Sequence, residues 1–381
     1  MNLDQLLSES VERSASDVHL RVGSPPMLRI DGHLHRCDAD TLTAEEMERL
    51  AHALLPAANA GEFSTTNEAD FAYEGPGVGR FRVNLFRQQD TVAMVLRRIE
   101  ASVPSIESLG LPPVVRRVAE EPRGLVLVTG RIGMGKTTTL AAMLDHINRT
   151  RDGHILTIED PVEFRHQPRR CLVTQREIGV DTADFRVALR RVLRQDPDVI
   201  LIGEMRDAET AWAALSAAET GHLVLSSLHT SNATETVNRI LDFFPSSQHG
   251  QLRAAMASSL RAVVSQRLLP RAGAPGRVPA VEVMVVNGRI SERLIDPNRG
   301  GELEEVISSG SFYGMQTFDQ SLLDLYRRGA ITRADTIGAA THPHDLRLAL
   351  ATIDAERELE ETAAEAAGAT TGGAVGAPSP M

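Results

Sequence analysis

Cysteine is scarce in this sequence: among 381 residues only Cys37 and Cys171 occur, far apart. Two isolated thiols make neither a C-x-x-C zinc module nor a disulfide scaffold. Long apolar runs are missing as well. No stretch approaches the ~20 residues that cross a bilayer as a helix. The first ten residues, MNLDQLLSES, have neither the basic region nor the apolar stretch of a secretory signal. Positive charge is in deficit, with 40 Lys and Arg against 51 Asp and Glu, a net charge of −11. That balance disfavours unspecific attraction to nucleic acid or anionic lipid. No internal repeat is visible. What is left is a globular chain of two or three domains, expected in the cytosol, with any membrane contact made through a partner.

What is present is organised around GLVLVTGRIGMGKTTTLAAMLDHIN, Gly124 to Asn148. Gly124 to Thr129 is a short apolar run bounded by Pro122 and Gly130, as in a buried parallel strand. Gly130, Arg131, Ile132, Gly133, Met134, Gly135, Lys136 and Thr137 fit G-x-x-x-x-G-K-[ST]. Leu140, Met143, Leu144 and Ile147 then recur at helical spacing. Strand, glycine loop and helix form the context of a P-loop. Its backbone N–H groups turn inward around phosphates, Lys136 offers a point charge to the β/γ-phosphates, and Thr137 offers an oxygen to Mg²⁺.

Ahead of this core, residues 1–100 read as an α+β domain. An amphipathic helix from Asn2 to Ser10 precedes a strand at Val18 to Val22. A D-G hairpin follows at Met27 to His35, then a helix from Thr43 to Leu55 with Thr43 and Glu46 spaced for a capping box. Three more strands are expected at Asp70 to Glu74, Gly79 to Arg87 and Thr91 to Ile99. Residues 101–113, with three prolines and a glycine, form the linker. Strands and helices alternate from 114 to about Leu269, the pattern of a parallel sheet covered on both faces. Val278 to Val286 adds a strand, and helices carry the domain to 355. The Ala/Gly/Thr/Pro-rich tail, 356–381, reads as disordered.

Open α/β sheets bind ligands at the carboxyl ends of their strands. Four polar clusters fall there: the P-loop, Glu159 and Asp160 in HILTIEDPVEF, Glu204 in DPDVILIGEMRD, and His229 in GHLVLSSLHT, with His222 just before that strand. Phosphoryl transfer to water needs neutralised phosphate charge, a held metal and an oriented water. Glu204 is the first choice to place that water and Glu159 the second, and both suit Mg²⁺ through water. His229 suits a γ-phosphate. Arg80, Arg82, Arg87, Arg97 and Arg98 crowd two strands of the first domain, more than a solvated face needs, and suit arginine fingers.

Together these stretches resemble the secretion ATPases of type II and type IV pilus systems, and within them the pilus retraction ATPases of twitching motility. SASDVHLRVG, GRFRVN, ILTIEDPVEF, LRQDPDVILIGEMRD, ETGHLVLSSLHT and GMQTFDQSL carry the likeness, over about Leu3 to His344. It implies a PAS-like first domain, a RecA-like P-loop core and a ring of six subunits docked on an inner-membrane pilus platform protein; a RecA-like nucleic-acid motor is disfavoured by the acidic balance, so no nucleic-acid partner is expected. It also implies ATP held by Gly130 to Thr138, including Thr138 itself. Glu159 would lie in an acidic box, Glu204 would be the catalytic glutamate, His222 and His229 would form a histidine box, and Arg82 and Arg97 would be fingers. Three features depart from the family: Arg131, Ile132 and Met134 replace its usual Pro, Thr and Ser, NGRISERLIDP replaces its AIRNLIRE helix, and the tail has no counterpart. Assembly and type II secretion ATPases share the core but usually carry a four-cysteine zinc module, which this sequence lacks. A ring that binds nucleotide with little hydrolysis is the alternative of a different class.

Overall fold

A computed structural model describes residues 2–30, 32–99 and 102–371. The first domain is one antiparallel sheet of six strands: β1 (Asp17–Arg21), β2 (Met27–Ile30), β3 (His33–Arg36), β4 (Glu68–Gly75), β5 (Gly79–Gln88) and β6 (Thr91–Ile99), in the order β3-β2-β1-β6-β5-β4. Alternation explains its core. Phe81, Val83 and Leu85 of β5 are fully buried, with Leu96 and Met94 opposite them on β6. Leu7 and Met47 of the helices Leu3–Glu12 and Ala44–Leu54 complete the cluster. The Thr43–Glu46 capping box forms as its spacing predicts. A helix at Ala57–Thr66 lies outside the expectation. It buries none of its residues, so it carries no apolar stripe to announce it.

The second domain holds seven strands: β7 (Gly124–Thr129), β8 (Gly153–Glu159), β9 (Cys171–Glu177), β10 (Val199–Ile202), β11 (Leu223–Leu228), β12 (Leu260–Pro270) and β13 (Arg277–Val285). Their order is β13-β12-β7-β11-β10-β8-β9, parallel throughout except for β13, which runs antiparallel to β12. The helices Phe185–Val192, Ala208–Glu219, Ala233–Asp242 and His249–Ser259 pack one face, and Pro113–Ala119 and Lys136–Thr150 pack the other. Phe318 and Leu322 seal the end of β13 together with Leu346 and Leu350.

The last helix runs from Pro343 to Thr371. This corrects the expectation of disorder from residue 356. Alanine and glutamate favour helix once a docked first turn has met the cost of nucleation. Residues 372–381, and Asp31 of the expected hairpin turn, lie outside the described residues.

Gly124 opens the central strand β7 at φ +119°, and a Cβ there would meet the Ser259 carbonyl oxygen at 2.7 Å. Gly124→Ala is expected to lower unfolding free energy by roughly 2 kcal/mol or more, read from urea denaturation. An unchanged midpoint would contradict this account of the strand.

Candidate functional site

Because β7, β11, β10, β8 and β9 are parallel neighbours, their carboxyl ends form one row about 4.8 Å apart per strand. Gly130, His229, Glu204, Glu159 and Glu177 come at or just past those ends, in that order. The P-loop is shaped by glycines with left-handed backbones: Gly133 at φ +78° and Gly135 at +81°. At Gly130 a Cβ would lie 2.7 Å from the Gln266 carbonyl oxygen of β12. The helix Lys136–Thr150 starts on Gly135 with no side-chain cap, so its first N–H groups face the loop.

The unusual loop residues do not block this cradle. Arg131 and Ile132 are exposed, and Met134 turns back to β12, where its Sδ accepts a hydrogen bond from Leu268 N at 3.3 Å. Arg277 Nη1 donates to Gly133 O at 3.2 Å from the far side. Among the described residues the Thr137 and Thr138 hydroxyls have no hydrogen-bond partner.

Lys136 is buried, and desolvation lowers its pKa. Its Nζ donates to Gly130 O at 2.9 Å and Arg131 O at 3.2 Å, and contacts His229 Nδ1 at 3.0 Å. An ammonium has only donors, so Nδ1 accepts and the His229 proton sits on Nε2. That Nε2 lies 3.0 Å from Glu204 Oε1. Glu204 Oε2 in turn receives Arg206 Nε at 2.8 Å. The backbone around Glu204 is pinned on both sides. Gly203 N donates to Ile158 O, Ser227 Oγ donates to Gly203 O, and Met205 N donates to Ser227 O.

Glu159 is at the end of β8, almost wholly buried, with Gln175 Nε2 donating to its Oε1 at 3.2 Å. Burial pushes its pKa up to about 7. Its register partner on β9 is Glu177, another buried acid. Arg80 of the first domain donates to Glu177 at 2.5 Å, and Arg165 pairs with Glu74 at 2.7 Å, so two ion pairs tie the domains together.

His222 is not brought to this row. It precedes β11, at the opposite end of the strand from His229, where its Nδ1 meets the Ala217 carbonyl at 2.9 Å. Six strand residues separate the two histidines, about 20 Å at strand rise. The arginine group also divides. Arg82 and Arg97 are direct cross-strand partners on the face away from Phe81, paired with Asp70 at 3.8 Å and Asp17 at 2.8 Å rather than with the P-loop of their own chain. Arg87 and Arg98 belong to the other face: Arg87 pairs with Glu48, and Arg98 donates to Val11 O.

Sequence reasoning passed over Arg206, Ser227, Gln175 and Glu177. Arg206 has a signal in the GEMRD stretch, two residues past Glu204. Gln175 and Glu177 have none, because β9 buries only Cys171 and Glu177 and shows no apolar alternation.

Residues 1–302 match the family model described as "Type II/IV secretion system protein". The chain is 44% identical over 345 residues to the type IV pilus retraction ATPase PilT of Pseudomonas aeruginosa, covering 91% of this chain and 100% of that relative. It is 41% identical over 348 residues to the type IV pilus ATPase PilU of the same organism, covering 91% of each. Among solved structures it resembles the pilus retraction motor PilT with bound ADP, at 42% identity and a TM-score of 0.84, over 91% of this chain and 99% of that one.

The raised pKa of Glu159 has a signed consequence. The folded chain keeps a proton that the unfolded chain releases above its ordinary value of 4.5. Stability therefore falls as pH rises from there to about 7, and this contribution is flat above that. Glu282, also held near 7 by burial, adds a second such slope. Urea denaturation at pH 5.5 and pH 8 is expected to show a smaller loss across that interval in Glu159→Gln than in the native chain. Equal losses would refute the assignment.

Proposed function

The chain belongs to the type II/IV secretion system protein family, and on that premise we propose that it is a homohexameric, Mg²⁺-dependent ATPase that drives type IV pilus retraction in twitching motility. The observation that carries the ATPase reading is the unbroken chain Lys136–His229–Glu204 across three neighbouring strand ends. What supports retraction is the likeness to a retraction ATPase along that relative's whole length.

Phosphates of ATP lie over the N–H groups of the loop and the first turn of the helix Lys136–Thr150. Lys136 exchanges its carbonyl and His229 contacts for phosphate oxygens. His229 then faces the γ-phosphate, and Glu204, pinned by its backbone neighbours, orients the attacking water. Mg²⁺ keeps most of its waters and takes few protein ligands. The free hydroxyl of Thr137 fits this, and among the described residues no cluster of three His, Cys, Asp or Glu side chains offers a separate metal cage. When bound, the ion would be held by Thr137 and, through water, by Glu204 and Glu159, and would supply positive charge against the phosphates.

Arg82 and Arg97 act on a neighbouring subunit. The two guanidiniums stand directly opposite each other with one carboxylate beside each, Asp70 and Asp17, and a further anion between them adds to that compensation. A γ-phosphate presented by the next protomer is such an anion. The ring works in the cytoplasm and docks on an inner-membrane pilus platform protein, with no nucleic acid involved. Membrane contact is through that partner. No described helix is long and apolar enough to cross a bilayer.

Glu204→Gln is expected to bind ATP with Mg²⁺ as the native chain does and to lose turnover, because the amide is a poor group for orienting water. Native turnover in that variant would remove Glu204 from its role. Arg82→Ala or Arg97→Ala should keep the fold and nucleotide affinity while lowering ATPase rate on the order of 10³-fold. Two variants at full rate would leave these arginines as a solvated face. Deleting the gene should leave cells with pili but without twitching; loss of the pili instead would point to assembly.

A further inference from the structure

β13 reads RVPAVEVMV, and its one acid, Glu282, is buried with 5% of its surface exposed. A buried carboxyl costs free energy that a valine at the same place would avoid. Among the described residues it makes one hydrogen bond, its Oε1 accepting from Ala233 N at 2.8 Å, and it feels the charge of Arg267 on β12. Ala233 is the first residue of the helix Ala233–Asp242, whose N-cap is Asn232. Only residues 230–232 separate that helix from His229.

The bonds that shape this short connection are mostly internal. Thr230 Oγ1 meets Thr236 Oγ1 at 2.7 Å, Glu235 Oε2 accepts from Ser231 N at 2.8 Å, and Asn232 Oδ1 accepts from Glu235 N at 2.8 Å. They make loop and helix start one unit, and apolar packing of Ala233, Val237, Ile240 and Leu241 seats the helix on the sheet. The Ala233–Glu282 bond adds a directional tie at the helix residue nearest His229. Glu282 stands in register with Ser265 of β12, whose Oγ is bonded to Thr129 Oγ1 at the end of β7 at 2.8 Å. The acid thus refers the histidine loop to the same strands that carry the P-loop.

We propose that Glu282 is a positioning residue for hydrolysis: it holds the start of the helix Ala233–Asp242 so that His229 stays between Lys136 and Glu204. It touches neither nucleotide nor water and acts through His229. The proposal rests on the ATPase reading above. If the native protein does not hydrolyse ATP, that reading fails; if it does and the Glu282 variants behave as native, this proposal alone fails.

The test uses the full chain with Glu282→Leu, Glu282→Gln and Glu282→Asp, measuring thermal melting, MgADP affinity and steady-state ATPase. Gln keeps an acceptor oxygen at the same reach and should stay within about threefold of native kcat. Leu removes the acceptor, so kcat should fall roughly tenfold or more, since small misplacements of reacting groups carry penalties of that order. MgADP affinity in the Leu variant should move less than about threefold, because the loop that holds the phosphates is untouched. A Leu variant with native kcat overturns the proposal. So does a Leu variant that melts as native but loses MgADP affinity and kcat together, which would make the carboxyl an ordinary packing group. If the Leu chain does not fold, the Asp chain decides. One methylene shorter, it withdraws the oxygen from Ala233, and full activity in it overturns the proposal equally.

Discussion

A buried ammonium must have its three protons accepted or give up its charge, and Lys136 has two backbone carbonyls and an imidazole nitrogen to accept them. The rest of the site follows from that requirement. The carbonyls exist where they do because Gly130 passes so close to β12 that no side chain fits. The imidazole is available because β11 lies directly beside β7, which places His229 next to the P-loop. Its far nitrogen then meets Glu204 on the next strand. One cation, held in one geometry, orders the groups over three strands.

Parallel strand order turns separate sequence motifs into this contiguous row. The motifs were legible because each is short and local: an apolar run, then glycine or an acid. Loop, strand ends, Glu204 and His229 all follow from that pattern without knowledge of neighbours. Arg82 and Arg97 were legible as charges but not as a pair, because their opposition depends on the register of β5 against β6. The same register moves Arg98 to the other face. His222 shows the opposite limit. The family resemblance grouped it with His229 in one histidine box, yet a whole extended strand stands between them. The acid and amide of β9 were silent because an edge strand with mixed burial has no periodic signature.

The atypical loop residues also have a physical place. Met134 and Arg277 brace the loop from the β12–β13 side, with a thioether on Leu268 N and a guanidinium on Gly133 O. Side chains at these positions leave the backbone N–H groups to face phosphate, so a change of residue type leaves the cradle's shape in place.

The ion pair between Arg80 and Glu177 joins the two domains at the edge of the sheet, and Glu177 is the register partner of Glu159. Moving the first domain away would break that pair and strip a buried carboxylate of its arginine, so any relative motion of the two domains has to find Glu177 another partner.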